Sequence, residues 1–220
     1  MPSTRIVRPV WRKFQSRFFA RAVKWVRDGG HAVVVNDDNK LELLLGVDAT
    51  GELTEFALWA LLSVEQRRAR LVTEGPAKGL RQTGVGRHAR FAVLDWCERD
   101  SVFDAATRAL DLDCLACAAC CHDSNVLLDQ DDLDRFVAGG REDLTTSAYI
   151  KRSRDGKVRL RFLGKGPCQH LARDNKCRIY ALRPFNCSVF PAGSEACLAA
   201  RESTHAWRDD LTPLAPPRPN

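Results

Sequence analysis

The chain has 220 residues, 45% apolar and 28% charged, enough for a substantial core but short for more than two domains. Its formal charge of +6 is uneven: residues 1–27 hold eight basic side chains (Arg5, Arg8, Arg12, Lys13, Arg17, Arg21, Lys24, Arg27) and no acid, leaving −2 on the rest. No run approaches the roughly 18 apolar residues of a membrane span, and no apolar run before a small-residue cleavage site opens the chain, so the expectation is a cytoplasmic protein without a transmembrane segment.

Trp11, Phe14, Phe18, Ala22 and Trp25 recur at spacings of three and four, which predicts a basic amphipathic helix over residues 1–28. Such a helix packs its aromatic stripe on the domain or offers its basic face to a protein partner or substrate, an anionic membrane surface or nucleic acid. The acidic remainder argues against nucleic acid. Asp28-Gly29-Gly30 supplies a stop, and residues 31–36 and 41–47 read as two strands joined by the turn Asp37-Asp38-Asn39-Lys40, hence a hairpin.

Thr54 is placed to cap a helix carrying Phe56, Ala57, Leu58, Leu61, Leu62 and Val64. Residues 73–88 hold four glycines and Pro76 and read as a hinge; neither the phosphate-loop nor the dinucleotide-loop spacing is met there. Helical patterns follow at residues 91–98 and 103–110. Residues 29–110 therefore read as a small mixed region, and residues 201–220 as a proline-rich tail.

Eight of the nine cysteines lie between residues 114 and 197: Cys114-x2-Cys117-x2-Cys120-Cys121, then Cys168, Cys177, Cys187 and Cys197. In a chain this large, clustered thiols read as metal ligands in a reducing compartment rather than as disulfide staples. Two-residue spacing lets thiolates converge on one centre while the intervening backbone amides turn toward the sulfurs. Cys114, Cys117 and Cys120 reproduce the first three positions of a ferredoxin-type run, which favours a [4Fe-4S] cluster; eight thiols also suffice for two tetrahedral zinc sites, or for mononuclear iron. Adjacent Cys120 and Cys121 are expected to point in different directions and so to serve two metals, or one metal and one free thiol, more easily than a single ion. His122 and His170 are lesser ligand candidates, and Cys97 reads as a small buried apolar residue.

The run Cys114-Leu-Ala-Cys117-Ala-Ala-Cys120-Cys121, followed by Asn125-Val-Leu-Leu-Asp, Gly166-Pro-Cys168, Cys177-Arg-Ile-Tyr180 and Arg183-Pro-Phe-Asn-Cys187-Ser-Val-Phe-Pro191, resembles the CxxCxxCC cysteine-cluster family. The resemblance covers roughly residues 110–200. It implies a zinc, iron or iron-sulfur centre ligated from Cys114, Cys117, Cys120, Cys121, Cys168, Cys177 and Cys187, with Cys197 a looser match; a similar cluster occurs in flagellin lysine N-methylases. It implies little about substrate. The family often has glycine between its second and third cysteines, where this chain has Ala118-Ala119.

Around the cysteines, Asp129 is placed to cap a helix ending at Gly139-Gly140, and Val158, Leu160 and Phe162 alternate as a strand leading to Cys168. Ile179, Tyr180, Leu182, Phe185 and Phe190 are candidates for a dry wall beside the sulfurs, and Arg183 for a donor to them. The fold expected is α+β, with a small mixed N-terminal region followed by a mostly helical, loop-rich metal-binding domain at residues 111–200. Two function classes follow: an iron-sulfur or iron centre serving redox or protein-modification chemistry, or a zinc-stabilised interaction module without catalytic activity.

Overall fold

The computed structural model describes residues 4–122, 125–164 and 166–207. It is α+β, and its chain divides into two units: Arg5–Asp111 with Gly193–Ala196, and Leu112–Ala192 with the segment from Cys197 onward. The first unit opens with strands β1 (Thr4–Pro9) and β2 (Trp11–Gln15), followed by helix α1 (Phe19–Arg27). The helix expected over residues 1–28 is thus confined to its last third. Tertiary partners override the periodicity: Trp11 buries its indole to 1% exposure, and its backbone N–H donates to Asp100 Oδ2 at 2.8 Å instead of closing a helical turn.

Gly29 and Gly30 end α1 for a steric reason. Gly29 sits at φ +100°, and a Cβ on Gly30 would lie 2.3 Å from the Trp25 indole nitrogen. The chain then runs as β3 (His31–Val35), parallel to β2 with Lys13 beside Val33, and returns as β4 (Leu41–Leu45), with Val33 opposite Leu43. The expected hairpin is present. Thr54 Oγ1 accepts the Ala57 N–H at 3.3 Å and starts α2 (Glu55–Ser63).

The two-residue strand β5 (Arg70–Leu71) and β6 (Arg81–Gly84) complete a sheet of order β2-β3-β4-β6-β5. Residues 81–84, expected to belong to a hinge, are therefore a strand inside the sheet. Their polarity is matched by partners: Gln82 donates to Glu42 and accepts from Arg70 Nη2 at 2.7 Å. Helix α3 (Arg90–Arg99) follows, and the helix expected at residues 103–110 is replaced by β7 (Thr107–Leu112), which pairs with β1.

Alternation in β3 and β4 gives the sheet two apolar faces. Val33, Leu41, Leu43 and Leu45 pack with Trp11 against α2 and α3, including Ala57, Leu61, Val93 and Cys97. Ala32, Val34 and Leu44 meet Ala22, Val23 and Val26 of α1 on the other. A closed ring of four buried charges lies in the same unit: Arg8 contacts Asp100 at 3.3 Å and Glu195 at 2.5 Å, and Arg99 contacts Asp100 at 3.0 Å and Glu195 at 2.7 Å. Burial works against the Arg99 charge, yet the two carboxylates hold its pKa above the ordinary value; Arg8 and Arg99 hold Asp100 below its own in spite of burial.

The second unit begins with α4 (Cys114–Cys117), then β8 (Leu127–Leu128) and α5 (Gln130–Ala138). Strands β9 (Ile150–Arg152) and β10 (Val158–Leu160) complete an antiparallel sheet of order β8-β10-β9. Two more helices follow, α6 (Phe185–Ser188) and α7 (Glu195–His205). The unit joins short helices to a small three-stranded sheet, in keeping with the α+β class. Val126, Leu128, Leu133, Phe136, Leu144, Ile150, Val158, Leu160 and Ile179 form its core. Residues 201–205 of the expected tail are the last turn of α7; its proline-rich part, residues 211–220, lies outside the described residues. Among the described residues no helix is long and apolar enough to cross a membrane.

Candidate metal centre

The first cysteines are positioned by a short helix with a designed beginning and end. Asp113 Oδ1 accepts the backbone N–H groups of Leu115 and Ala116, both at 3.0 Å, which starts α4 one residue before Cys114. The helix ends at Ala118, whose left-handed φ of +47° reverses the chain and turns Ala119, Cys120 and Cys121 into a tight 3-10 turn. Ala118 thus holds the conformation that glycine holds most easily.

The later cysteines are tied to one another and to the first run by backbone pairing. The Cys168 N–H donates to the Cys121 carbonyl at 2.7 Å, and β-bridges join Phe162 to Cys168 and Leu171 to Cys177. Asn175 Nδ2 donates to the Ala116 carbonyl at 3.1 Å, fastening the Cys168–Cys177 loop to α4. Cys187 lies in α6, which is held through Asp132. The Asp132 carboxylate is buried to 1% exposure and takes the Phe185 N–H at 2.8 Å and Arg135 Nη2 at 3.0 Å. Asp132 also completes a capping box with Asp129, so the expected cap of α5 is present and the same helix anchors Cys187.

The thiols act on one another electrostatically, Cys120 most widely. Its sulfur is within electrostatic reach of Cys114, Cys117, Cys121, Cys168 and Cys187, and Cys177 is within reach of Cys121, Cys168 and Cys187. Cys121 donates to Cys120, lowering the Cys120 thiol to about 7, and the same bond is the main reason Cys121 is raised. Burial pushes Cys187 up to about 12, with the thiols of Cys168, Cys120 and Cys177 adding to it. Burial likewise raises Cys114, Cys117 and Cys168. Among the described residues, no three Cys, His, Asp or Glu side chains close around one point.

The donor chemistry fits a soft metal. Backbone N–H groups of Ala119, and of His170 and Leu171, are directed at the sulfurs of Cys117 and Cys168, the arrangement that offsets thiolate charge in metal knuckles. Two arginines add positive potential: Arg201 at Cys114 and Cys117, and Arg183 at Cys120 and Cys187. Of the expected dry wall, Ile179 is buried in the core against which Leu182, Cys168, Cys177 and Cys187 are partly buried, whereas Tyr180 and Phe185 are exposed.

Residues 113–209 match the family model CxxCxxCC, described as "Putative zinc- or iron-chelating domain". That match supports metal binding by this region. No curated protein and no solved structure matches the chain. The CxxCxxCC match covers all eight clustered cysteines and leaves out Cys97, which is buried in the core of the first unit with its thiol pushed up to about 12, chiefly by burial.

Cys197 is buried on α7, one turn before Ala200, and Ala200 packs with Cys117 and Ala119. His170 is 3% exposed and stacks on Tyr149 at 5.1 Å; the charged groups that act on its ring are Arg141, Asp143 and Arg178. Three residues escaped the sequence reading: Asp132, Arg201 and His205. The aspartate sits in a capping pattern that reads as local structure. The other two lie beyond the last cysteine, where no motif marks them.

Proposed function

We infer that the CxxCxxCC region is a metal-binding module whose thiols hold an iron-sulfur cluster of the [4Fe-4S] type or an iron centre, serving redox or protein-modification chemistry. The observation that carries this reading is that the Cys168 N–H donates to the Cys121 carbonyl at 2.7 Å, which ties the later cysteines to the first run, with backbone amides directed at the Cys117 and Cys168 sulfurs and Arg201 donating to Cys117 Sγ at 2.8 Å. A cluster bound there would supply one-electron transfer.

The chain's own residues do the rest. The left-handed turn at Ala118 reverses the chain between Cys117 and Cys120, the Cys168–Cys121 backbone bond joins the second half to the first, and Asp132 fixes α6 with Cys187. Ile179 and Leu182 keep one side dry, which strengthens every electrostatic contact to the sulfurs.

Anaerobic purification followed by metal and acid-labile sulfide analysis, with a visible spectrum, tests the reading. About four iron and four sulfide per chain is the expected result. One or two zinc ions with no sulfide and no colour would overturn the cluster and leave a closed structural centre of the interaction-module kind.

A further inference from the structure

One face of α7 grips the Cys117 turn at four points. Arg201 Nη1 donates to Cys117 Sγ at 2.8 Å, His205 Nε2 donates to the Cys117 carbonyl at 2.7 Å, and Thr204 Oγ1 donates to the Ala119 carbonyl at 3.4 Å. Ala200 packs on Cys117 and Ala119. Residues 200, 201, 204 and 205 share one side of a helix because three or four residues make a turn. The guanidinium of Arg201 lies 4.7 Å from the centroid of the Trp207 ring, and that ring lies 4.4 Å from His205. Arg201 is therefore locked from both sides: its edge faces sulfur and its flat face an indole.

The burial of this arginine decides what it does. Arg201 is 5% exposed, and a guanidinium removed from water needs a negative partner. No carboxylate takes that place in the bonds described above; a sulfur does. A metal-bound Cys117 thiolate supplies the missing negative charge, and the Arg201 N–H group then draws charge from the sulfur without displacing it from the metal. Arginine suits the task better than lysine because its planar fork can point one N–H at sulfur while stacking on Trp207.

We propose that Arg201 is a positioning residue of the metal centre, acting through Cys117 by a charge-assisted hydrogen bond to its thiolate, with Trp207 holding the guanidinium in place. The proposal rests on the metal-centre reading above. It adds a ligand-tuning role for a residue outside the cysteine pattern, at the far end of the matched region. Cys117 and Cys120 are thereby treated differently: Cys117 receives its donor from a side chain on α7, whereas the Cys120 sulfur receives its main hydrogen bond from Cys121.

The test uses the full-length chain, stripped of metal and titrated anaerobically with cobalt(II), whose thiolate charge-transfer band reports on the sulfurs directly. Four forms are compared: wild type, Arg201→Met, Cys117→Ser and the double substitution. Arg201→Met is expected to weaken cobalt retention against a chelator by about 10- to 100-fold, the usual effect of losing an outer partner of a metal ligand. Its band should move to lower energy, because a sulfur without a donor releases charge more easily. The double variant should lose no more than Cys117→Ser alone, since Arg201 acts through that sulfur.

An Arg201→Met form with wild-type retention and an unmoved band overturns the proposal while leaving the metal reading standing. Additive losses in the double variant overturn it as well. A wild-type chain that takes up neither cobalt, zinc nor iron overturns the metal reading itself, and this role of Arg201 with it. If Arg201→Met fails to fold, Arg201→Lys carries the test: a folded Lys form with a partly shifted band supports the proposal, whereas a band identical to wild type, or a Lys form that also unfolds, overturns it.

Discussion

Asp132 Oδ1 accepts the backbone N–H of Phe185 at 2.8 Å, across 53 residues of chain, and so ties the first turn of α5 to the helix that carries Cys187. The same oxygen takes Arg135 Nη2, and Arg135 Nη1 reaches the Arg183 carbonyl at 3.0 Å, so two bonds hold the residues on either side of Pro184. Asp132→Ala would leave the Phe185 and Asp129 amides, both in part-buried bonds, without their acceptor. The expected loss is about 2–3 kcal/mol in urea unfolding. Alkylation of Cys187, followed by mass spectrometry, should also quicken. Unchanged labelling with lowered stability would mean that the clamp supports α5 alone.

The four-charge ring in the first unit makes a sharper demand on stability. Each arginine contacts both carboxylates, so the ring is neutral and each member is compensated twice. Arg8→Met removes one cation and leaves Asp100 and Glu195 to share Arg99, with the Trp11 indole N–H still on Glu195 Oε1 at 2.7 Å. Breaking a buried ion network at one member costs about 3–5 kcal/mol. The measurement is the urea midpoint at neutral pH. A change below about 1 kcal/mol, the scale of an exposed pair, would show that water reaches the ring.

Much of this was legible in the sequence, and the parts that were not share a cause. The hairpin of β3 and β4, the Thr54 and Asp129 caps and the strand ending at Leu160 follow from local chemistry: alternation, turn residues and an oxygen before a helix. Cysteine spacing likewise marked the site, because ligand chemistry is local in sequence. The misreadings come from partners far along the chain. Trp11 lies in a strand because Asp100, 89 residues away, takes its N–H, and residues 107–112 form a strand because β1 is there to pair with them. Arg201 belongs to the same class, since its meaning comes from a sulfur 84 residues earlier.

Ala118 offers a test of the turn itself. A non-glycine residue at φ +47° carries roughly 1–2 kcal/mol of strain, while its methyl, 3% exposed, returns about 0.8 kcal/mol by burial. Ala118→Gly should therefore be neutral to slightly stabilising, by less than about 1 kcal/mol. Ala118→Val adds a β-branch to a backbone that rejects it and should cost about 2 kcal/mol or more. Thermal melting of both variants checks the pair. A glycine form that melts well below wild type would remove the left-handed turn from the account of how the chain reverses between Cys117 and Cys120.

Cysteines inside and outside the matched region should part company in a metal assay. Cys168 has two backbone amides directed at its sulfur and Cys120, Cys121, Cys177 and Cys187 within reach, so Cys168→Ala should lower the metal content of the purified chain and its melting temperature together. Cys97→Ala removes only a small buried side chain from the first core and should cost about 1 kcal/mol with the metal content unchanged. Metal-to-protein ratios by plasma mass spectrometry decide. Equal losses in both variants would detach the ligand assignment from the CxxCxxCC cysteines.

His31 sets the acid limit of the first unit. It is 4% exposed with its ring edge on Trp11, centroids 5.0 Å apart, and burial lowers its pKa from 6.5 to about 4, Glu195 opposing the shift and Arg8 adding to it. The folded state thus binds its proton less readily than the unfolded chain. Stability from this group is complete above about pH 6.5, where both states are neutral, and is lost as pH falls toward 4, where the unfolded chain is protonated and the folded one is not. The full shift corresponds to about 3 kcal/mol. His31→Phe keeps an aromatic ring beside Trp11 and removes the titration, so its stability between pH 6.5 and 4 should fall by about that much less than wild type in parallel urea series. His170, also lowered by burial, titrates in both proteins and cancels in the comparison. Identical pH slopes would place the His31 ring in contact with water.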